Sequence, residues 1–416
     1  MQIKNFIMLL RGYADIYKNI LFLCVEKFVF VIVIFYVEAM VSRELGVLDY
    51  GKWLYALNIV IVISSCSLIA GAEVVVPMIS KNNKLQWFVL TSAFILRMLF
   101  SILSVLLLYI YVNMFVVDEL IALMIVSLIP FLLLAEPFGV VINYYQARVE
   151  IGGVVLARLL SLIFRAIIVS FAIWLSYKGL IYFSRSIEVL ILASILVFLF
   201  VKEKGCWSFS KRITRLVFFR GLKLWIPLIL MYLYMRMDRF FVEKYLGFNE
   251  LAFYGVAVQI FEQLILLIGI VIQSIGPKFI FKRVFLSEWK VASMMLVIVF
   301  AVITLAKSLL PHLIAIVFGD AYIKSTTIVI NLLPALIFYT IDMVYMQYIY
   351  RRGFYTLVIV KWIFVSITCV SSYHIWFSVL GYKDITPVFI FNYVMMFITT
   401  ITLYQFFLYK KRLGYY

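Results

Sequence analysis

Apolar runs of eighteen residues or more recur along almost the whole chain, and no other feature limits its fold as strongly. As a helix, a run of about 20 apolar residues crosses a hydrocarbon layer about 30 Å thick. Twelve such runs can be drawn, at 20–41, 53–79, 85–112, 120–142, 154–177, 180–201, 222–246, 251–275, 291–317, 328–350, 355–379 and 387–409. They are numbered here as spans one to twelve. Composition leaves no soluble alternative, because 66% hydrophobic and 14% charged residues cannot clothe a 416-residue chain in water. The links are short, and no soluble domain interrupts them. The expected fold is an all-α integral membrane protein of about twelve transmembrane helices.

Lys4, Arg11 and Lys18 precede span one, which is too long for a signal-peptide core and is followed by no small-residue cleavage site. It reads as a retained helix. Cys24, Cys66 and Cys369 lie in spans and Cys206 in a basic link, so no disulfide framework is implied.

The net charge of +17 would point to nucleic acid in a soluble protein. Here most cations sit in links, where they set topology instead. Alternate links hold twenty-two Lys and Arg against seven on the other side. Both termini are therefore expected in the cytoplasm, and an even span count agrees.

The longest and most basic link, 202–223, lies near the middle. On its two sides the sequence repeats. Leu45-Gly46 leads to Asp49, Gly51, Trp53 and Ala56, and Leu246-Gly247 leads to Glu250, Ala252, Tyr254 and Ala257 at the same spacing. Pro77 and Pro277 close the following spans. Six spans per half give parallel repeats related by an axis along the membrane normal. The expected domains are a six-helix bundle over 1–201, a cytoplasmic linker over 202–223 and a second bundle over 224–416.

These segments resemble the multidrug/oligosaccharidyl-lipid/polysaccharide (MOP) exporter superfamily, and within it the Wzx-type O-antigen and polysaccharide flippases. The resemblance rests on Arg43-Glu44-Leu45-Gly46 with Asp49-Tyr50-Gly51, Gly71 and Pro77. It continues through Pro227, Asp238-Arg239, Leu246-Gly247, Tyr254, Ala257 and Pro277. It ends in Phe318-Gly319-Asp320-Ala321-Tyr322 with Leu333-Pro334-Ala335. It implies a MATE-like pair of bundles around a cationic cavity. It also implies movement of an undecaprenyl-diphosphate-linked oligosaccharide from the cytoplasmic to the periplasmic leaflet of the bacterial inner membrane. A polysaccharide polymerase and a chain-length regulator are the implied partners, beside membrane lipids, and the expected state is a monomer.

A charge within hydrocarbon costs about 3 kcal/mol, so each one inside a span calls for a reason. The spans carry the cations Lys27, Arg97, Arg158, Arg165, Arg236, Arg239, Lys307 and Lys361, and the acids Glu26, Asp238, Glu262 and Asp342. A positive excess suits a diphosphate, whose oxygens the arginine fork bonds in pairs. Arg97, Arg165, Arg236 and Lys307 lie nearest mid-span and are the first candidates for a cavity. Lys27, Arg158 and Lys361 lie nearer the cytoplasmic ends, where they either collect the headgroup or snorkel to the interface. Asp238 and Arg239 form the acid-basic pair of the resemblance, and Asp238 is equally readable as a structural counter-ion. Glu262, Asp342, Asp238 and Glu26 are the candidates for ion coupling or gating, against the alternative of interhelical hydrogen bonding. Glu73 and Glu136 are weaker gating candidates. Tyr232, Tyr234, Tyr339 and Tyr345 are candidates for stacking on sugar.

His312 and His374 have no ligand spacing around them, so no metal is expected. No nucleophile motif or nucleotide fingerprint is present. The expectation is no cofactor and no catalysis. Three rivals stay open, the least of them a lipid II flippase, which would carry extra helices and a different arginine pattern. A multidrug exporter of the same superfamily would favour an acidic or aromatic cavity. A polysaccharide polymerase or lipid-linked glycosyltransferase would favour a long outward link, which this chain lacks.

Overall fold

A computed structural model describes the backbone of residues 2–148, 150–276, 287–351 and 355–412, and the side chains of 29–148, 150–272, 287–351 and 356–409. Every long apolar run is helical. Among the described residues ten helices are long and apolar enough to cross a membrane, and the pair Asp320–Leu332 and Ala335–Arg351, bent by 50°, makes another crossing. The first of the ten, Val29–Lys81, contains two crossings. Gly46, at φ 75° and ψ 169°, breaks the helical path within it. The Tyr50 hydroxyl then reaches the Glu38 carboxylate at 3.5 Å. In a straight helix twelve residues would separate the two by about 18 Å along the axis, so the chain folds back at Gly46. All twelve expected spans are accounted for.

The turns explain the glycines of the repeat. Gly46, Gly247, Gly319 and Gly381 all have positive φ, which only glycine adopts without cost. They lie at one end of the molecule, opposite the strongly basic links. Inside the protein the helices meet through small polar residues. Ser92, Ser101 and Ser104 of span three, Ser161 of span five and Ser184 and Ser186 of span six are all buried. In lipid, helices gain little from burying apolar area against each other, and close approach at small residues serves instead.

Span two differs from its expected continuous course over 53–79. Its helix stops at Ser64, passes through the tight turn Ser65–Leu68, and resumes as Ala72–Lys81. The run Ser64-Ser65-Cys66-Ser67 explains the break. The hydroxyls of Ser64, Ser65 and Ser67 donate to the carbonyls of Ile61, Val62 and Ser64 at 2.6–2.8 Å, in competition with the helix ladder. Span ten breaks at Leu333-Pro334, where proline cannot supply a ladder N–H.

Spans two and eight touch at the glycine-turn end. A Cβ at Gly51 would lie 2.0 Å from the Phe248 carbonyl oxygen, and one at Gly255 would lie 2.3 Å from Leu54. Nearby, the Arg43 guanidinium donates to the Ile316 carbonyl at 2.6 Å and the Tyr322 hydroxyl to the Ser42 carbonyl at 3.3 Å. Span one is thereby tied to the turn between spans nine and ten. At the basic end a cavity opens beside span two.

Candidate functional site: a cationic cavity at the basic end

The cavity lies between the second half of span two, the first half of span seven and the adjoining ends of spans ten and eleven. Its outer part, about 730 Å³, is walled by Val74, Met78, Leu224, Leu228 and Trp362, with Lys81, Arg220 and Lys223 as its cations. A deeper part of about 440 Å³ reaches Arg97, Glu136 and Arg158, with Tyr232 on its wall. Glu73, Leu228 and Met231 line both parts. Five cations therefore face two carboxylates across a largely apolar surface. Pro77 and Pro227 lie on the wall, and the break in span two sets Glu73 at the junction of the two parts.

Arg97 holds the deep end in shape. It is 4% exposed, and its guanidinium donates to the Ala70 carbonyl from Nε and Nη2 at 3.3 and 3.1 Å. Nη1 donates to the Glu136 carbonyl at 2.9 Å and to its carboxylate at 3.3 Å. Ala70 stands at φ 57°, an unusual conformation for a residue with a Cβ. From the other side the Trp225 indole donates to the Cys66 carbonyl at 2.8 Å. A Cβ at Gly221 would lie 2.9 Å from the Ala70 nitrogen. Spans three and seven thus grip the unwound segment between them and supply donors to its Cys66 and Ala70 carbonyls.

Most other intramembrane charges among the described residues form pairs away from this cavity. Arg165, which has no exposed surface, donates to Glu38 at 2.8 Å, and its Nη1 lies 3.6 Å from Glu188. Arg185 also reaches Glu188, at 3.4 Å. In the other half Arg239 donates to Glu262 at 2.8 Å and Arg236 to the same carboxylate at 3.5 Å. Tyr254 donates to Asp238 at 2.5 Å. Lys361 bonds both oxygens of Asp342 at 2.7 Å, and the Thr400 hydroxyl adds a bond of 2.5 Å. Buried charges need such partners, since their desolvation outweighs any single attraction.

Of the eight expected cavity cations, two lie on its wall, Arg97 and Arg158. Four are corrected. Arg165 is sealed against Glu38 and Glu188, Arg239 is 3% exposed against Glu262, and Lys361 is 1% exposed against Asp342. Lys307 is exposed on the outside of span nine, off the buried stripe Val299, Ile303, Ala306 and Leu310. The periodicity of that stripe, not the mid-span position, decides its direction. Arg236 is partly exposed beside Glu262, one turn beyond Tyr232. The side chains of Lys27 and Glu26, and Pro277, lie outside the described residues. Of the acids, Glu262, Asp342 and Asp238 are engaged as above, while Glu73 and Glu136 reach the cavity. Among the four tyrosines, Tyr232 is the one found on its wall.

Sequence reasoning read Lys81, Arg220 and Lys223 only as topology signals. Their helical spacing from Pro77 and Pro227, four residues for Lys81 and Lys223 and seven for Arg220, was the available clue. It also passed over Glu38 and Glu188, although both lie inside the apolar runs 20–41 and 180–201.

No family model and no curated protein matches the chain. Solved structures do. A multidrug resistance MATE transporter of the MOP superfamily in its inward-facing conformation matches at TM-score 0.66, with 12% identity over 89% of this chain and 92% of that one. A MOP transporter from Pyrococcus furiosus, described by a reversed polarity of its binding pocket, matches at TM-score 0.67, with 14% identity over 92% of each chain. The lipid II flippase MurJ, inward closed, matches at TM-score 0.63, with 14% identity over 92% of this chain and 87% of that one. The matches extend over about nine tenths of this chain. This chain is a multi-pass membrane protein with the fold of the MOP-superfamily transporters.

Proposed function

We propose that the protein is a flippase that moves an undecaprenyl-diphosphate-linked oligosaccharide, an O-antigen or related polysaccharide repeat unit, across the bacterial inner membrane by alternating access. The observation that carries this reading is the cavity, with Lys81, Arg220 and Lys223 around an apolar wall and Arg97 and Arg158 deeper in. A diphosphate needs cations, and arginine forks meet its oxygens two at a time. The polyprenyl chain needs none and can stay in the lipid between spans. The cavity opens at the basic end, which the distribution of Lys and Arg assigns to the cytoplasm together with both termini. Substrate enters there while the contacts of Gly51 with Phe248 and of Arg43 with Ile316 close the far end. Rocking of the two six-helix halves about the 202–223 link would reverse the opening. Among its structural neighbours, one is a lipid II flippase and another has a reversed pocket polarity. The first supports a lipid-linked substrate over a drug.

A specific observation favours one rival. Glu73 and Glu136 share the deep cavity with the cations, and a multidrug exporter would use them to hold an organic cation. Proteoliposomes separate the two readings. With an undecaprenyl-diphosphate oligosaccharide, the parent should move substrate between leaflets, and Arg220→Ala with Lys223→Ala should cut the rate at least about tenfold. Lys307→Leu, which alters an exposed residue absent from the cavity wall, should leave the rate unchanged. Efflux of cationic dyes without lipid movement, abolished by Glu73→Gln, would hand the case to the exporter.

A further inference from the structure

Residues 202–215 of the basic link present a second charged surface, separate from the cavity that Arg220 and Lys223 line further along. Lys202, Lys204, Lys211, Arg212 and Arg215 are all exposed there. The acid among them, Glu203, is occupied by Arg148 and the Tyr144 hydroxyl at 3.3 Å each. Interleaved with the cations are exposed aromatic and aliphatic side chains, namely Trp207, Phe209, Leu216 and Phe219.

This surface is held in place. The Trp207 ring packs on Phe94 and Phe200, with centroids 4.8 and 4.7 Å away. The Ser208 N–H donates to the Thr91 hydroxyl at 3.0 Å, and the Thr214 and Ser92 hydroxyls share a bond of 2.8 Å. Irregular chain is confined to 203–210, and from Lys211 a single helix of 36 residues runs to Leu246. That helix is about 54 Å long, well beyond the hydrocarbon thickness of about 30 Å. Several of its turns therefore stand in the headgroup layer. With Lys244 at the far end, the turns at Lys211 are those the basic link anchors.

We propose that this face of residues 202–215 docks on the anionic headgroups of glycerophospholipids. Each cation near such a surface gains free energy from its negative potential, over a range set by the Debye length. Trp207 supplies an amphipathic indole that settles at the same depth, with the apolar rings of Phe209 and Phe219 beside it. Arg215 lies with its guanidinium 5.7 Å from the Phe219 ring, so charge and ring descend together. The docking is independent of what the cavity carries, because Lys211, Arg212 and Arg215 are absent from its wall.

The test uses the full chain in nanodiscs of mixed phosphatidylcholine and phosphatidylglycerol. Lipid retained on stepwise detergent extraction is counted by mass spectrometry. The parent should keep phosphatidylglycerol in excess of the bulk ratio, and the excess should collapse at roughly 1 M salt. K211Q/R212Q/R215Q should lower it several-fold, and K211R/R212K/R215K should retain it. K178Q/K324Q, which removes two exposed cations at the opposite end, should leave it unchanged. No excess in the parent, an undiminished excess in the glutamine variant, or equal loss in the opposite-end variant would each overturn the proposal. None of these readouts depends on translocation, so failure here leaves the flippase reading standing.

Discussion

Arg97 of span three bonds the carbonyl of Ala70 in span two twice, at 3.3 and 3.1 Å, while its third nitrogen holds Glu136 of span four. One guanidinium therefore fixes the break that shapes span two and also lines the cavity. A diphosphate that took bonds from Arg97 would loosen the break. The chain leading into the same span meets Phe248 at Gly51, so the cavity wall and the far-end contact are joined through that span.

Arg97→Ala should lower stability by about 2 kcal/mol, since it leaves the Ala70 carbonyl without its donor and Glu136 without its cation, while Glu136 keeps some solvent access. Arg97→Lys should recover less than half, because an ammonium cannot span both partners. Thermal unfolding of the detergent-solubilised protein reads both.

Arg165 and Glu38 form a pair buried on both sides. Arg165→Leu alone should cost about 3–5 kcal/mol by stranding the Glu38 carboxylate. Adding Glu38→Leu should restore much of that loss, since no buried charge then lacks a partner. Additive losses in the double variant would show that the two residues do not act as a pair.

Gly51→Val should open the glycine-turn end. Its side chain would meet the Phe248 backbone, which cannot rotate away as a side chain would. A cysteine at Leu54, 7% exposed in the closed form, should then react with a membrane-impermeant maleimide faster than in the parent background. The expected cost in stability is about 1–3 kcal/mol.

Asp118 sits in the link between spans three and four and accepts from the Lys52 ammonium at 2.6 Å and from the N–H groups of Leu120 and Ile121. The Lys52 bond, foremost, holds its carboxyl below the usual aspartate range. A carboxyl whose pKa falls on folding stabilises the fold above its unfolded pKa of about 4, and that stability is lost as pH drops through the folded value. The parent should therefore lose more stability than Asp118→Asn between neutral pH and pH 3. Asparagine keeps the helix cap and removes the titration. Parallel melting curves for the two across that range would exclude this contribution.

Much was legible from the residues alone, and for a physical reason. A bilayer admits few backbone solutions, so run length fixed twelve crossings without knowledge of contacts. Turning glycines were legible too, because Gly46, Gly247 and Gly319 stand where positive φ is needed. The breaks were less so. The hydroxyls of Ser64, Ser65 and Ser67 interrupt a helix that hydropathy reads as continuous, as hydropathy does not register side-chain bonds to the backbone.

The cavity's membership was a tertiary matter. A charge buried in a span is costly whether it meets substrate or another side chain, so cost alone cannot separate Arg97 from Lys361. What separates them is which helix face looks at which neighbour. Asp342 and Thr400 happen to meet Lys361 across three spans, while Lys81, Arg220 and Lys223 converge from links distant in sequence. Membrane burial, span number and overall charge were determined by sequence, through free energies that act residue by residue. Pairing and the position of the open space were decided only by packing, through distances that no single residue carries.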